Sequence, residues 1–232
     1  MTSLLDTALS IVAPHICKGC GVVGSTLCER CIYNTLRRPY RHCVYCNYVT
    51  PSSALCKKCR KRSINQLYDI IAVDERSGAL QRLIGDYKFH SERESAAIIA
   101  GLLTSAIPST WDFQQIAYIP TINNHIRTRG FDHMKLVADE LSRYYHKPIS
   151  KLLIRTNNHT QHGASYIDRK TKIKHSLAIH NTSTPPHSVL LIDDIWTTGS
   201  TLNTAAALLR RIGVEHVYAA VIAVQPKHSN KK

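Results

Sequence analysis

Residues 189–202 read VLLIDDIWTTGSTL. The run Val189–Ile192 is too uniformly apolar for a strand with one wet face and predicts a strand buried on both sides, as in a parallel sheet. Two adjacent carboxylates, Asp193 and Asp194, follow it directly. Then come Thr197, Thr198, Gly199, Ser200 and Thr201, and a helical pattern over 201–212 closed by Gly213. In open parallel sheets ligands bind at the carboxyl ends of strands, which is where this pair of acids emerges. The helix N-terminus beyond it offers unpaired N–H groups and a positive dipole end, an anion site. The hydroxyls add donors, and Gly199 lets the backbone close round a phosphate without a Cβ in the way. The acids must therefore hold something other than that phosphate, and diol hydroxyls and a Mg²⁺ ion suit them.

Outward from this stretch the same alternation continues. Strands are expected at LYDIIAVDE, at 116–120 (IAYIP), near 148–154 (PISKLLI) and at 217–224 (VYAAVIAV). Helices are expected over SGALQRLIGDYKFH, over Ala96–Leu103, and over MKLVADELSRYY, with the polar stretch TINNHIRTRGF between strand and helix read as a loop. Fully apolar strands alternating with helices define an α/β fold with a parallel sheet covered on both faces. Four apolar residues before Asp-Asp also suit a Walker B strand, but the chain has no Gly-Lys-Ser/Thr to make the matching phosphate loop. GCGVVG at 19–24 matches G-x-G-x-x-G literally, yet it lacks the preceding strand and following helix of a dinucleotide-binding turn.

All eight cysteines fall between 17 and 59, as four C-x-x-C pairs: Cys17/Cys20, Cys28/Cys31, Cys43/Cys46 and Cys56/Cys59. Each pair presents two thiolates from one tight turn, and two such pairs enclose a tetrahedral ion with no open coordination position. Two structural zinc ions are the expectation, with sequential pairing favoured over an interleaved cross-brace. A disulfide framework would need an oxidising compartment, which the absence of a secretory pattern argues against. With little apolar material nearby, metal binding would supply most of this module's folding free energy. The expected organisation is an N-terminal helix and double four-cysteine zinc-ribbon module at 1–65, followed by the α/β domain at 66–232. The N-terminal segment MTSLLDTALSIVAPHIC is apolar at helical spacing and reads as a docking helix.

The 232 residues carry 30 Lys and Arg against 16 Asp and Glu, a formal net charge of +14, which favours polyanionic partners. Residues 1–65 hold ten basic residues against two acidic ones, with the densest run at 57–62, KKCRKR. Lys57, Lys58, Arg60, Lys61 and Arg62 are therefore candidate nucleic-acid contacts, and Tyr45 and Tyr48 of CVYCNY are candidate stacking residues or packing over the knuckle. No apolar run approaches the roughly 20 residues that span a bilayer. The expectation is a cytoplasmic protein with no membrane insertion.

VLLIDDIWTTGSTL resembles the 5-phosphoribosyl-1-pyrophosphate (PRPP) motif of type I phosphoribosyltransferases. The four cysteine knuckles, DYKFH (86–90), P-x6-R-x-R-G-F in PTINNHIRTRGF (120–131), Q-x7-R in HTQHGASYIDR and the aspartate motif follow in the order seen in the ComF family of competence proteins. The resemblance implies a phosphoribosyltransferase-like domain behind a small zinc-ribbon module. It places Asp193 and Asp194 against ribose hydroxyls and Mg²⁺, Thr197, Thr198, Gly199, Ser200 and Thr201 round the 5-phosphate, and Arg127, Arg129 and Gly130 in the pyrophosphate loop. Two guanidiniums flanking a turn are suited to phosphate oxygens. The segment 159–175 takes the place of a mobile loop over the site, where Gln161, Arg169 and Lys170 would meet phosphate or a partner strand, and Arg169, Lys170, Lys172 and Lys174 extend the candidate nucleic-acid surface. Three departures stand out: Asp132 where the family shows Asn after R-G-F, Lys172 in place of an Asn after Arg169, and the bulky Trp196 in the loop. The implied role is handling incoming single-stranded DNA in natural transformation, alongside other DNA-uptake proteins. The alternatives are an active nucleobase phosphoribosyltransferase and a PRPP-sensing regulator.

Overall fold

The structure, a computed structural model, describes residues 15–36, 40–51, 54–62, 65–89, 95–156, 177–180 and 184–226. The N-terminal segment 1–14 and the stretch with Gln161, Arg169, Lys170, Lys172 and Lys174 lie outside them. Four parallel strands form the central sheet in the order β1-β6-β5-β2: β1 (Asp69–Glu75), β6 (His216–Val224), β5 (Ser188–Trp196) and β2 (Gln115–Tyr118). Each is apolar through its middle, and Ile70–Val73, Ile116–Ala117, Val189–Ile192 and Val217–Ala223 are buried, as the continuous hydrophobic runs require.

Helices cover both faces. On one face lie α3 (Gly78–Phe89), α4 (Ser95–Ala106) and α6 (His133–Tyr145), whose Met134, Val137, Ala138 and Leu141 recur at i, i+3, i+4 and i+7 and sit in the same core as Leu83, Ile99 and Ile192. On the other face lies α7 (Ser200–Arg211), which buries Leu202, Ala205, Ala206 and Leu209 at the same spacing against Leu191 and Ala219. The connection leaving β5 thus crosses one face and the connection preceding β2 crosses the other. This reversal opens a crevice at the carboxyl ends of β5 and β2.

Two expectations change. The stretch after Pro120 is a helix, α5 (Asn123–Arg129), rather than a loop; Gly130 stops it in the left-handed conformation (φ 77°) with its N–H on the Ile126 carbonyl. The segment near 148–154 adds no strand to the parallel sheet. Only Leu153–Arg155 (β3) is extended, paired antiparallel with Leu177–Ile179 (β4), and Ile149 makes an isolated parallel bridge to Ile116. Pro148 lacks an N–H for a ladder at this point, so the chain touches the edge of β2 and turns away.

The cysteine module is a structural duplication. In the first copy Cys17 N–H donates to Val22 O (2.8 Å) and Gly21 N–H to Cys17 O (2.9 Å). In the second, 26 residues on, Cys43 N–H donates to Tyr48 O (2.8 Å) and Asn47 N–H to Cys43 O (2.7 Å). Gly21 (φ 80°) and Asn47 (φ 60°) occupy the same left-handed position of the knuckle. The second cysteine pair of each copy opens a helix, α1 (Glu29–Leu36) from Cys28 and α2 (Lys57–Arg60) from Cys56. The first ribbon contributes Cys17 and Leu27 to the core that holds α3, α4 and α6, the second Cys43, Leu55 and Cys59 to the core under α7. Among the described residues no helix is long and apolar enough to cross a membrane.

Candidate functional site

β2 and β5 separate where the last rung, from Ile119 N–H to Ile192 O (3.0 Å), is made. β5 runs on to Trp196, still paired with β6 through Asp193↔Val221 and Trp196↔Val224. Asp193 and Asp194 are therefore strand residues rather than loop residues, held on a rigid element with one side open to the crevice. A cleft of about 240 Å³ opens there, lined by Lys88, His125, Arg129, His133, Arg155, Thr201 and the two aspartates, over a floor of Ile119, Pro120 and Ile195.

The paired acids have different surroundings. Lys88 of α3 and His133 of α6 both meet the Asp194 Oδ2, His133 through Nε2 at 2.8 Å. Burial raises the Asp194 carboxyl, but the His133 hydrogen bond and the Lys88 charge outweigh it and hold the group down at about 2. Asp193 is pushed up to about 8, first by burial and then by the neighbouring Asp194 charge. The pair thus favours a single negative charge, centred on Asp194. Arg155 reaches over from β3 and donates from Nε to the Pro120 carbonyl (2.9 Å). Burial lowers its guanidinium, while Asp193, Asp132 and Asp194 act the other way.

His133 is positioned from several sides. Its Nδ1 lies 2.9 Å from Thr121 Oγ1 and 3.3 Å from Arg129 Nη1, and Tyr87 donates to its carbonyl. Asp132, which departs from the family's Asn, is not a loose charge at the anion's approach. It caps α6, accepting from the Met134 and Lys135 N–H groups, and takes the Thr121 hydroxyl at 2.7 Å.

The turn after β5 leads into α7 with Gly199 as its N-cap (φ 77°, left-handed) and no side-chain cap, which leaves the helix N-terminus open for an anion. Thr197 and Thr198 are exposed, Ser200 and Thr201 half-buried, and the Thr198 hydroxyl accepts from Ser200 N–H at 3.3 Å. Trp196 is no loop residue. Its ring is buried beneath the turn, so close that a Cβ on Gly199 would lie 2.2 Å from it. Of the R-x-R-G stretch, Arg129 lines the cleft, Gly130 ends α5, and Arg127 is exposed.

Sequence reasoning missed Lys88, Thr121, His133 and Arg155 as site residues. Lys88 lay within the quoted DYKFH motif. His133 had one local signal, its place directly after the Asp132 cap. Arg155 had none, because it reaches Pro120 from β3, which meets the site only in the fold.

The eight thiols gather as two sequential groups, Cys17, Cys20, Cys28, Cys31 and Cys43, Cys46, Cys56, Cys59. Within each group the Sγ atoms all lie within 4.8 Å of one another, a spacing that can hold a metal ion. Cys17 Sγ accepts from the N–H groups of Gly19 (3.4 Å) and Cys28 (3.3 Å), and Cys56 Sγ from Cys59 (3.4 Å). These bonds favour thiolate. At Cys17 burial acts upward but the donors bring the thiol down to about 6, and at Cys56 the Cys59 N–H brings it to about 7. Burial and neighbouring sulfurs push Cys31 and Cys59 up to about 12.

Of the basic run, Arg60 pairs with Asp69 (3.0 Å) and donates to the Tyr68 carbonyl, while Lys57, Lys58, Lys61 and Arg62 are exposed. Tyr48 is 70% exposed, and Tyr45 packs edge-on against Trp196.

The phosphoribosyl transferase domain family matches residues 129–232, which take in α6, β5, the glycine turn, α7 and β6. The chain is 34% identical over 148 residues to Competence protein F of Haemophilus influenzae, covering 60% of this chain and 65% of that protein, just under two thirds of its length. It is 30% identical over 156 residues to DNA utilization protein YhgH of Escherichia coli (64% and 68%), and 24% identical over 198 residues to Competence protein ComFC of Streptococcus pneumoniae (83% and 85%). Parallel sheet, acid pair and glycine turn define a protein of phosphoribosyltransferase type. Within that type, the tandem cysteine ribbons and these relatives show that the chain belongs to the ComF family of competence proteins.

Proposed function

We propose that this chain is a cytoplasmic competence factor that handles incoming single-stranded DNA and binds PRPP at the carboxyl edge of its sheet. The observation that carries the reading is the juxtaposition of Asp193 and Asp194 with an uncapped, glycine-hinged helix N-terminus across a cleft edged by Lys88, Arg129 and Arg155. The acids suit ribose hydroxyls and the Mg²⁺ ion that accompanies a pyrophosphate group, whose charge that ion would neutralise. Thr197–Thr201 suit the 5-phosphate, and the guanidiniums suit the pyrophosphate. The two four-thiolate groups fit zinc in a structural role, since no coordination position is left open. The names of the relatives, a competence protein and a DNA utilization protein, support the DNA role.

Isothermal calorimetry with Mg-PRPP, with and without a single-stranded oligonucleotide, tests this. Saturable binding that weakens in the Asp194→Asn variant is expected, and no binding to the intact chain overturns the PRPP reading. Pyrophosphate released in the presence of a nucleobase would instead favour an active phosphoribosyltransferase.

A further inference from the structure

The second ribbon is joined to the turn that caps α7 by a continuous set of contacts. Tyr45, between the ligand positions Cys43 and Cys46, lies edge-on to Trp196 (centroids 5.1 Å apart, planes at 86°). Its hydroxyl accepts from Asn203 Nδ2 at 2.6 Å. That same amide nitrogen donates to the Gly199 carbonyl at 2.8 Å, and Asn203 Oδ1 accepts from Gln66 N–H at 3.0 Å. The partners fix the orientation of the amide, because a carbonyl faces its nitrogen and an N–H faces its oxygen. Asn203 is buried, in the first turn of α7, so loss of a partner leaves a polar atom without compensation. Trp196 closes the set from below, packed against Gly199 where no Cβ fits.

The duplication shows that this link belongs to one copy alone. The residue equivalent to Tyr45 in the first ribbon is Gly19, where a Cβ would lie 2.3 Å from Cys31 Sγ. The first copy instead reaches the α/β domain through Lys18, which pairs with Asp86 on α3 at 2.7 Å, while Val44, its counterpart in the second copy, is buried.

We propose that Tyr45 is a positioning residue for the anion-binding turn: through Asn203 and Trp196 it holds the Trp196–Ser200 backbone in its ligand-ready geometry. The geometry of the turn then depends on the second ribbon rather than on the first. The idea rests on the PRPP reading for its ligand, but the brace itself can be tested without one. Tyr45→Phe keeps the ring on Trp196 and removes only the hydroxyl. The expected result is a three- to tenfold weaker affinity for Mg-PRPP and for inorganic pyrophosphate by calorimetry, about the size of one net hydrogen bond. Metal content should stay at the wild-type value, and amide hydrogen exchange at Thr197–Ser200 should quicken. Tyr33→Phe, on the exposed side of α1, is the control and should change none of these. Unchanged affinity and unchanged exchange in Tyr45→Phe, with only a lower Tm, would overturn the proposal. If the wild type binds neither probe, the PRPP reading fails by itself, and exchange at Thr197–Ser200 alone decides the brace: faster exchange supports it, unchanged exchange sinks it.

Discussion

Asp193 and Asp194 are neighbours in sequence with opposite electrostatic roles. Asp194 meets Lys88 and His133, whereas Asp193 is buried beside a charge of its own sign. The sequence alone suggests that replacing both relieves repulsion and leaves stability level or raised; the structure separates the two. Asp193 holds its proton more tightly when folded, so its stabilising contribution is complete below about pH 4 and is lost as pH rises from about 4 to about 8. Asp194 is depressed when folded, so its contribution is present above about pH 4 and is lost as pH falls toward 2. Asp193→Asn should raise Tm at pH 8 and leave it nearly unchanged at pH 4. Asp194→Asn should lower Tm at pH 7 by several degrees, since it removes the carboxylate that meets both Lys88 and His133. Thermal melts of both variants across pH 4–8 check this, and shifts of the same sign at pH 8 would contradict it. The acid pair was legible from sequence because both residues sit in one contiguous motif. Lys88, His133 and Arg155 were not, because they arrive from three other elements and meet only in the fold.

At the scale of elements, strands and helices with a strong apolar period were read correctly, and those set by neighbours were not. β5, α6 and α7 carry unbroken patterns. By contrast α5 is a seven-residue helix with no side-chain cap, and β3 and β4 are three residues each, so propensity had little to work on. The ribbons were legible from cysteine spacing, which favoured sequential grouping but left an interleaved one open until the thiols were placed in space; their duplication shows in matching hydrogen bonds rather than matching residues. Each ribbon closes its own thiol group, so metal analysis should find two equivalents per chain. Cys56→Ser should lower the total to about one while the first ribbon keeps its ion. Loss of both ions in that variant would show that the copies do not fold independently. Gly199→Ala tests the turn: a left-handed backbone and a Cβ 2.2 Å from the Trp196 ring together should cost about 1–3 kcal/mol by chemical denaturation.

Across the whole molecule the ribbons approach the site from the two faces of the sheet. The first is tied to α3, which carries Lys88 to Asp194; the second lies under the turn that opens α7. With the ribbons so placed, their outer surfaces present the densest basic run of a chain with net charge +14. Arg60 is committed to Asp69 and Tyr68, so the residues to test are Lys57, Lys58, Lys61 and Arg62, all exposed on or just after α2. If these four neutralise phosphates of single-stranded DNA, each contributes about −0.7 to the log–log salt slope of binding. Replacing all four with Gln should flatten that slope by about 3 on the same scale. Metal content should hold, because none of the four is among the clustered thiols, and Tm should hold because Arg60 still anchors the segment to β1. Filter binding of a labelled oligonucleotide at several salt concentrations measures it. Equal slopes for wild type and variant would remove this basic run from any DNA-binding surface.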